Sequence, residues 1–341
     1  MNLELTPIFK KGDKLTHASL VPAGPVFVEI PGCEIITIAG ENLIVGTMEF
    51  LLENEPDRIC GMYITKDSSV HLFSNEDLNE MILDYDFGFG TNKFLSQLLE
   101  ATNKIILDLS KKITKEIRKY KVRAAHFTHL VDDLEKLSAL STLRQLKDIV
   151  KKEKETILYQ DGILFSRENR VRAIYTSAEP ITEFIEIYKK DTSICQEGSL
   201  ADSMYVLLDG KVSVTKEGRY IASISEPGEA FGELSLFLQS NRTASLTAEE
   251  NTKLYVIKQA NLVKFHRRYG DVFANIASTL ANRIKDNIVR TNHFSEMLKN
   301  GPAVENESRV RLANFHEQLI KLQNELHSEA LRNLLVKYSV A

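Results

Sequence analysis

The stretch Phe231–Ser245, FGELSLFLQSNRTAS, decides how this chain is read. It opens on Phe-Gly-Glu and closes on Arg-Thr-Ala-Ser, with Leu234, Leu236, Phe237 and Leu238 between them. Glu233 and Arg242 are its two charged residues. Gly232 lets the backbone come close to a ligand. A short helical turn is expected over 233–238, with the N–H groups of Leu234 and Ser235 turned outward, where they favour an anion. A guanidinium at position 242 bonds both exocyclic oxygens of one phosphodiester in parallel. Glu233 only accepts, so it suits a neighbouring sugar hydroxyl rather than that phosphate. The segment reads as the holder of a small ligand with one anionic phosphate and one sugar hydroxyl.

Working outward, Phe184 to Ile257 reads as short strands with turns between them. In MYVLLDGKVSVT a strand meets Asp209-Gly210 and then an alternating Val212/Val214 pattern, which predicts a hairpin. Gly218 marks another turn, and Pro227-Gly228 a break. Gly210 and Gly218 are read as turn glycines. After Lys258 the period becomes helical, through Leu262, Phe265, Val272, Phe273, Ile276, Leu280, Ile284 and Ile288.

The first hundred residues repeat this plan. IFKKGD at Ile8 resembles IYKKDT at Ile187, and TNKI at Thr102 resembles ANRI at Ala281, both 179 residues apart. Two matches at one offset suggest an internal duplication. Residues from about 92 to 160 read as helix, with Leu130, Leu134, Leu137, Leu140 or Ser141, and Leu143 at spacings of three and four. Lys111, Lys112, Lys115, Arg118, Lys119, Lys121 and Arg123 form the one strongly basic run. It is read as the solvated face of a connecting helix, with phosphates or acidic lipids as the functional alternative. Leu312, Phe315, Leu319, Leu322 and Leu326 make a seam for a partner helix, in the chain's own domain or in a homodimer.

The expected organisation is therefore an α+β chain. A β unit at 1–115 is followed by a helical linker at 116–183, a second β unit at 184–290 and C-terminal helices at 291–341.

The 341 residues are 43% hydrophobic and 26% charged, with a net charge of −4. This is a globular composition without global attraction to nucleic acid or anionic lipid. No apolar run reaches the roughly 20 residues that span a bilayer. The N-terminal stretch lacks the apolar core of a signal peptide. Cys33, Cys60 and Cys195 are scattered and odd in number, which suits a reducing cytoplasm and argues against a zinc or disulfide framework. His126-x-x-His129 is the sole close histidine pair and is read as helix surface. No metal, cofactor, membrane or nucleic-acid partner is expected.

FGELSL-FLQSN-RTASLTA resembles the phosphate-binding cassette of cyclic nucleotide-binding domains. Upstream, ICQEGSLADSMYVLLDG resembles that family's first signature and departs from it at Ser199. The resemblance covers about Phe184 to Ile288. It implies an eight-stranded, jelly-roll-like β-roll with flanking helices, the last of which caps the pocket. It also implies that Gly232 and Glu233 bind the ribose 2′-hydroxyl, that the Ser235 backbone N–H meets the phosphate, and that Arg242 pairs with its oxygens. The candidate ligand set is Phe231, Gly232, Glu233, Leu234, Ser235, Arg242, Thr243 and Asn287. A hydroxyl at Thr243 bonds the 2-amino group of a syn guanine, yet receptors for cAMP also carry Arg-Thr-Ala, so cAMP and cGMP both stay open. Asn287, on the capping helix, is the candidate for the base edge, with a solvated helix position as the alternative.

In the N-terminal copy, GENLIVGTMEFLLENEPDRICGMYI, Gly46 is followed by Thr47 where the cassette has Glu. Arg58 lies twelve residues on rather than ten, beside Asp57, which is expected to compete for its charge. This copy is read as silent.

The leading expectation is a cytoplasmic, non-enzymatic receptor for a cyclic mononucleotide that signals to an unknown protein effector. The alternatives are an interaction scaffold with fossil cassettes and an atypical transcription regulator.

Overall fold

Alternating apolar residues set both rolls, because successive side chains in a strand point to opposite faces. The computed structural model describes residues 4–52, 55–139, 144–166 and 184–338. The described residues within 1–105 and 171–289 cluster as one compact unit, and those within 106–170 and 290–341 as a second.

The N-terminal roll begins with β1 (Leu5–Phe9), β2 (His17–Glu29) and β3 (Ile36–Val45). A 3-10 turn, Glu49–Leu51, precedes β4 (Gly61–Thr65) and β5 (His71–Ser74). These strands form a sheet in the order β1-β4-β2-β3, with β5 also paired to β2. Two helices follow, α1 (Leu78–Met81) and α2 (Tyr85–Lys111).

The helical unit holds α3 (Lys115–Ala139), α4 (Arg144–Lys154) and α5 (Ile157–Ser166). Leu130 and Leu134 are buried on α3, whereas Leu140, Ser141 and Leu143 lie outside the described residues.

The C-terminal roll contains β6 (Ile185–Tyr188), β7 (Ser193–Cys195), β8 (Ser203–Asp209), β9 (Val212–Lys216) and β10 (Arg219–Ile224). It continues through β11 (Ala230–Phe231), α6 (Glu233–Leu238), β12 (Ser245–Ala248) and β13 (Thr252–Lys258). Eight strands form two antiparallel sheets, ordered β10-β9-β12-β7 and β11-β8-β13-β6. Then come α7 (Leu262–Arg268), the long α8 (Val272–Leu326) and α9 (Glu329–Lys337).

The expected hairpin at Asp209-Gly210 is not one. β8 pairs with β11 and β13, while β9 pairs with β10 and β12 in the other sheet. Gly210, at φ +95°, is the corner between the sheets, and a Cβ there would lie 2.7 Å from the Asn251 carbonyl oxygen. Alternation is the same whether the next strand pairs with the last or crosses to the facing sheet, so the pattern cannot separate the two. The true hairpin is β9–β10, turned at Glu217 (φ +50°) and Gly218 (φ +72°). Two positive φ values in sequence match the twist of the flanking strands.

An apolar core built on α2 and α8 is shared by both rolls, while Leu207, Val212, Leu246 and Leu254 form a separate cluster inside the C-terminal roll. On α8, Phe273, Ile276, Leu280, Ile284 and Ile288 are buried with Phe94, Leu95 and Leu98 of α2. Asn92 of α2 donates both Nδ2 hydrogens inside the shared core, to the backbone oxygens of Gly88 and Phe273, while its buried Oδ1 has no partner. In the helical unit, Phe315, Leu319 and Leu322 are buried with Phe127, Leu130 and Leu134. The seam at 312–326 is thus filled by the chain itself, with Phe127 and Phe315 rings 5.2 Å apart. Within the basic run, Lys115, Arg118 and Lys119 are exposed, and Arg123 is paired with Glu305 at 3.1 Å. His126 stacks on Tyr338, with ring centroids 5.2 Å apart.

Candidate functional site

The site is built where β11 ends. Phe231 pairs with Tyr205 of β8 and stacks on its ring at 5.4 Å. Gly232 then turns the chain into α6 with φ +73°. A Cβ at this position would sit 2.8 Å from Arg242 Nη1 and 3.2 Å from Tyr205 Cδ2. Both the dihedral and the close approach therefore require glycine. Leu236 and Phe237 anchor α6 in the core, which leaves Leu234 half-buried and holds Ser235 buried.

Arg242 lies under this turn and is 5% exposed. Its Nη1 donates to the Gly232 carbonyl at 3.2 Å, and its Nη2 to Ser203 Oγ at 3.0 Å and Tyr205 Oη at 3.2 Å. The guanidinium carbon sits 5.0 Å from the Tyr205 ring centroid. Every one of these partners is neutral, the Nε has no partner, and Arg242 forms no ion pair among the described residues. Burial pushes the Tyr205 phenol up, so it remains neutral beside the guanidinium. A buried cation without a counter-charge is costly, and an anion is what this arrangement lacks.

The first-signature segment holds the arginine backbone. Arg242 N–H donates to Ser199 O, and Gly198 N–H to Arg242 O, both at 2.8 Å. The Ser199 hydroxyl donates to Gln196 O at 2.6 Å, so its side chain serves its own turn and the departure from the signature leaves the arginine shell unchanged.

Glu233 is 6% exposed, and its Oε1 accepts from Arg283 Nη1 on α8 at 2.9 Å. Glu229 is also buried; with Glu226 and Glu233 nearby, desolvation pushes its carboxyl up to about 7. Thr243 is exposed. Asn287 departs from the expected base contact: its Nδ2 donates to Thr102 Oγ1 at 3.0 Å and Asn103 Oδ1 at 2.8 Å on α2. It lies on the expected helix, but the amide is spent on the core between α2 and α8.

The N-terminal copy preserves more than its sequence suggests. Gly46 has φ +79°, and Arg58 Nη1 donates to the Gly46 carbonyl at 2.5 Å, just as Arg242 does to Gly232. Despite the longer Gly-to-Arg spacing, the arginine reaches the corresponding glycine carbonyl. The expected competition from Asp57 does not occur, because that carboxylate pairs at the surface with Lys14 at 2.6 Å. Glu49 pairs with Arg58 instead, at 3.1 Å.

Sequence reasoning missed Ser203, Tyr205, Arg283 and Glu49. Ser203 and Tyr205 are two apart in one strand and so share a face, a signal present in DSMYVLLDG. Glu49 lies three residues past Gly46, displaced from where a cassette acid stands. For Arg283 the sequence carries no comparable signal.

Residues 185–269 match the family model of the cyclic nucleotide-binding domain. Sequence and two-sheet roll together mark this segment as a domain of that class. The cyclic AMP receptor protein of Thermus thermophilus is 31% identical over 105 residues, which is 29% of this chain and 48% of that protein. A cGMP-dependent protein kinase of Drosophila melanogaster is 33% identical over 72 residues, 21% of this chain and 6% of the kinase. The PKA regulatory domain of Toxoplasma gondii, solved with cAMP, aligns over 80% of each chain at 14% identity and a TM-score of 0.23. The chain spans about half or less of the length of these curated relatives. Among the described residues, no helix is long and apolar enough to cross a membrane.

Proposed function

We propose that the C-terminal roll is the ligand-binding half of a cytoplasmic, non-enzymatic receptor for cyclic AMP or cyclic GMP. The observation that carries this is Arg242, a buried guanidinium among neutral partners directly under the Gly232 turn. In this reading the cyclic phosphate supplies the missing negative charge. The backbone at Leu234 and Ser235 faces the phosphate, Phe231 and Gly232 shape the floor, and Thr243 lies toward the base. The proposed domains are the silent roll at 1–115, the linker at 116–183, the binding roll at 184–290 and the helices at 291–341.

The same reading supplies a route out of the site. Glu233 is the proposed ribose acceptor, and in this structure Arg283 of α8 holds it. A 2′-hydroxyl competes with that contact, so binding and the seating of α8 are linked. α8 is also tied to the N-terminal roll, through Ser278 to the Leu51 carbonyl at 3.2 Å and through Lys285 to Glu55. The effector that reads this change is a protein of unknown identity. Calorimetry with cAMP, cGMP and linear 5′-AMP is the test. Heat with one cyclic nucleotide and little with 5′-AMP supports the receptor. Absence of heat with any of them moves the chain to the scaffold reading, for which the existing Glu233–Arg283 pair is the supporting observation.

A further inference from the structure

The two rolls place an arginine under the same glycine carbonyl and then complete its surroundings differently. Arg242 meets only neutral groups. Arg58 is 2% exposed and meets a carboxylate, with both side chains of the Arg58–Glu49 pair fully buried. Glu49 comes from the 3-10 turn that follows Gly46, as α6 follows Gly232. Its Oε2 accepts from Arg58 Nη1 at 3.1 Å. Its Oε1 accepts from the Ile59 N–H at 3.2 Å and from the Cys60 thiol at 3.8 Å. Arg58 Nη2 is taken by the His17 carbonyl. The rings of Phe9 and Phe50 lie 4.0 and 5.1 Å from the guanidinium carbon, closing the site to water. Burial raises the Glu49 carboxyl above its ordinary value, and the adjacent guanidinium offsets part of that rise.

We propose that the N-terminal roll is a self-occupied anion site, in which the Glu49 carboxylate stands permanently where an external anion would meet Arg58. This explains why the copy keeps its glycine turn and its buried arginine beside an internal carboxylate. The cation is needed for a fold that carries its own counter-charge, and a carboxylate with no exposed surface is not open to displacement. The N-terminal roll is fixed in its filled state, and response to ligand is left to the C-terminal roll. The inference does not depend on whether the C-terminal roll binds a nucleotide.

Removal of the Glu49 carboxylate tests this. Glu49→Ala removes a CH2–COO⁻ group, the size and charge of acetate, and leaves Arg58 with an empty place. The full-length protein is studied without nucleotide by thermal unfolding. The unpaired guanidinium should lower the melting temperature by on the order of 10 °C. Sodium acetate should raise it again with the logarithm of concentration, because an anion that binds only the folded form stabilises by mass action. Formate should act more weakly and acetamide not at all. The parent and Glu49→Ala/Arg58→Met should show no acetate effect beyond that of chloride, and both retain Arg242 as the control for acetate acting there. Glu49→Gln fills the space without the charge, so it should lose stability and gain nothing from acetate.

Three results would overturn the proposal: Glu49→Gln as stable as the parent, acetamide rescuing as well as acetate, or rescue that survives loss of Arg58. If Glu49→Ala does not fold in chloride buffer, recovery on dilution from urea into acetate or acetamide reads the same question. Better recovery in acetate supports the self-occupied site, and equal recovery rejects it.

Discussion

Arg242 and Arg58 are held alike by a glycine carbonyl, yet only one has a carboxylate beside it. Arg242→Ala should therefore cost about 3–5 kcal/mol of nucleotide affinity, since it leaves a buried phosphate without its cation. Arg242→Lys should rescue little, because a point charge lacks the parallel fork. Titration calorimetry of both variants checks this, and a lysine variant that binds like the parent removes the bidentate model. Glu233 is read through its partner. A 2′-deoxy cyclic nucleotide should bind more weakly by about 1–3 kcal/mol, and Glu233→Gln should weaken the parent ligand more than the deoxy ligand. Equal binding of the two ligands by the parent would make Glu233 structural, serving Arg283 alone.

Glu229 sets a pH dependence at the same scale. It is 8% exposed, and burial lifts its carboxyl from an ordinary value near 4.5 to about 7. The folded roll therefore holds this proton more tightly than the unfolded chain. Its contribution to stability is complete below about 4.5 and is lost as pH rises through about 7. Glu229→Gln removes the loss, so its stability relative to the parent should improve by up to about 3 kcal/mol between those limits. Urea midpoints at the two pH extremes measure it, and a constant difference between variant and parent would contradict the assignment.

At the scale of elements, α8 carries the coupling. Arg283→Ala frees Glu233 from the helix while leaving the buried face of Phe273, Ile276 and Leu280 in place. The receptor reading predicts tighter nucleotide binding, by up to about 1 kcal/mol, since the ribose no longer competes with a partly exposed ion pair. Weaker binding would show that Arg283 supports Glu233 rather than withholding it.

Elements also show what was legible beforehand. The bounds of α6 at 233–238 followed from the spacing of Gly232, Glu233 and the apolar run, because a helical turn is a local object. The buried face of α8 followed from its period. The Asp209-Gly210 corner did not, because the identity of a strand's neighbour is a long-range fact. Asn287 failed for the same reason: its position on the helix was readable, but its partners Thr102 and Asn103 are distant in sequence. Glu49 was hidden because its pairing with Arg58 is a tertiary contact that the Gly-to-Arg spacing does not encode.

Across the molecule, the described residues place two rolls on a shared helical core, with one buried arginine beside a carboxylate and the other among neutral groups. Isothermal titration of the full-length protein with the preferred cyclic nucleotide tests this account most directly. One nucleotide per chain, with binding lost in Arg242→Ala and kept in Arg58→Met, is the predicted result. Two nucleotides per chain, or binding that persists without Arg242, would contradict it.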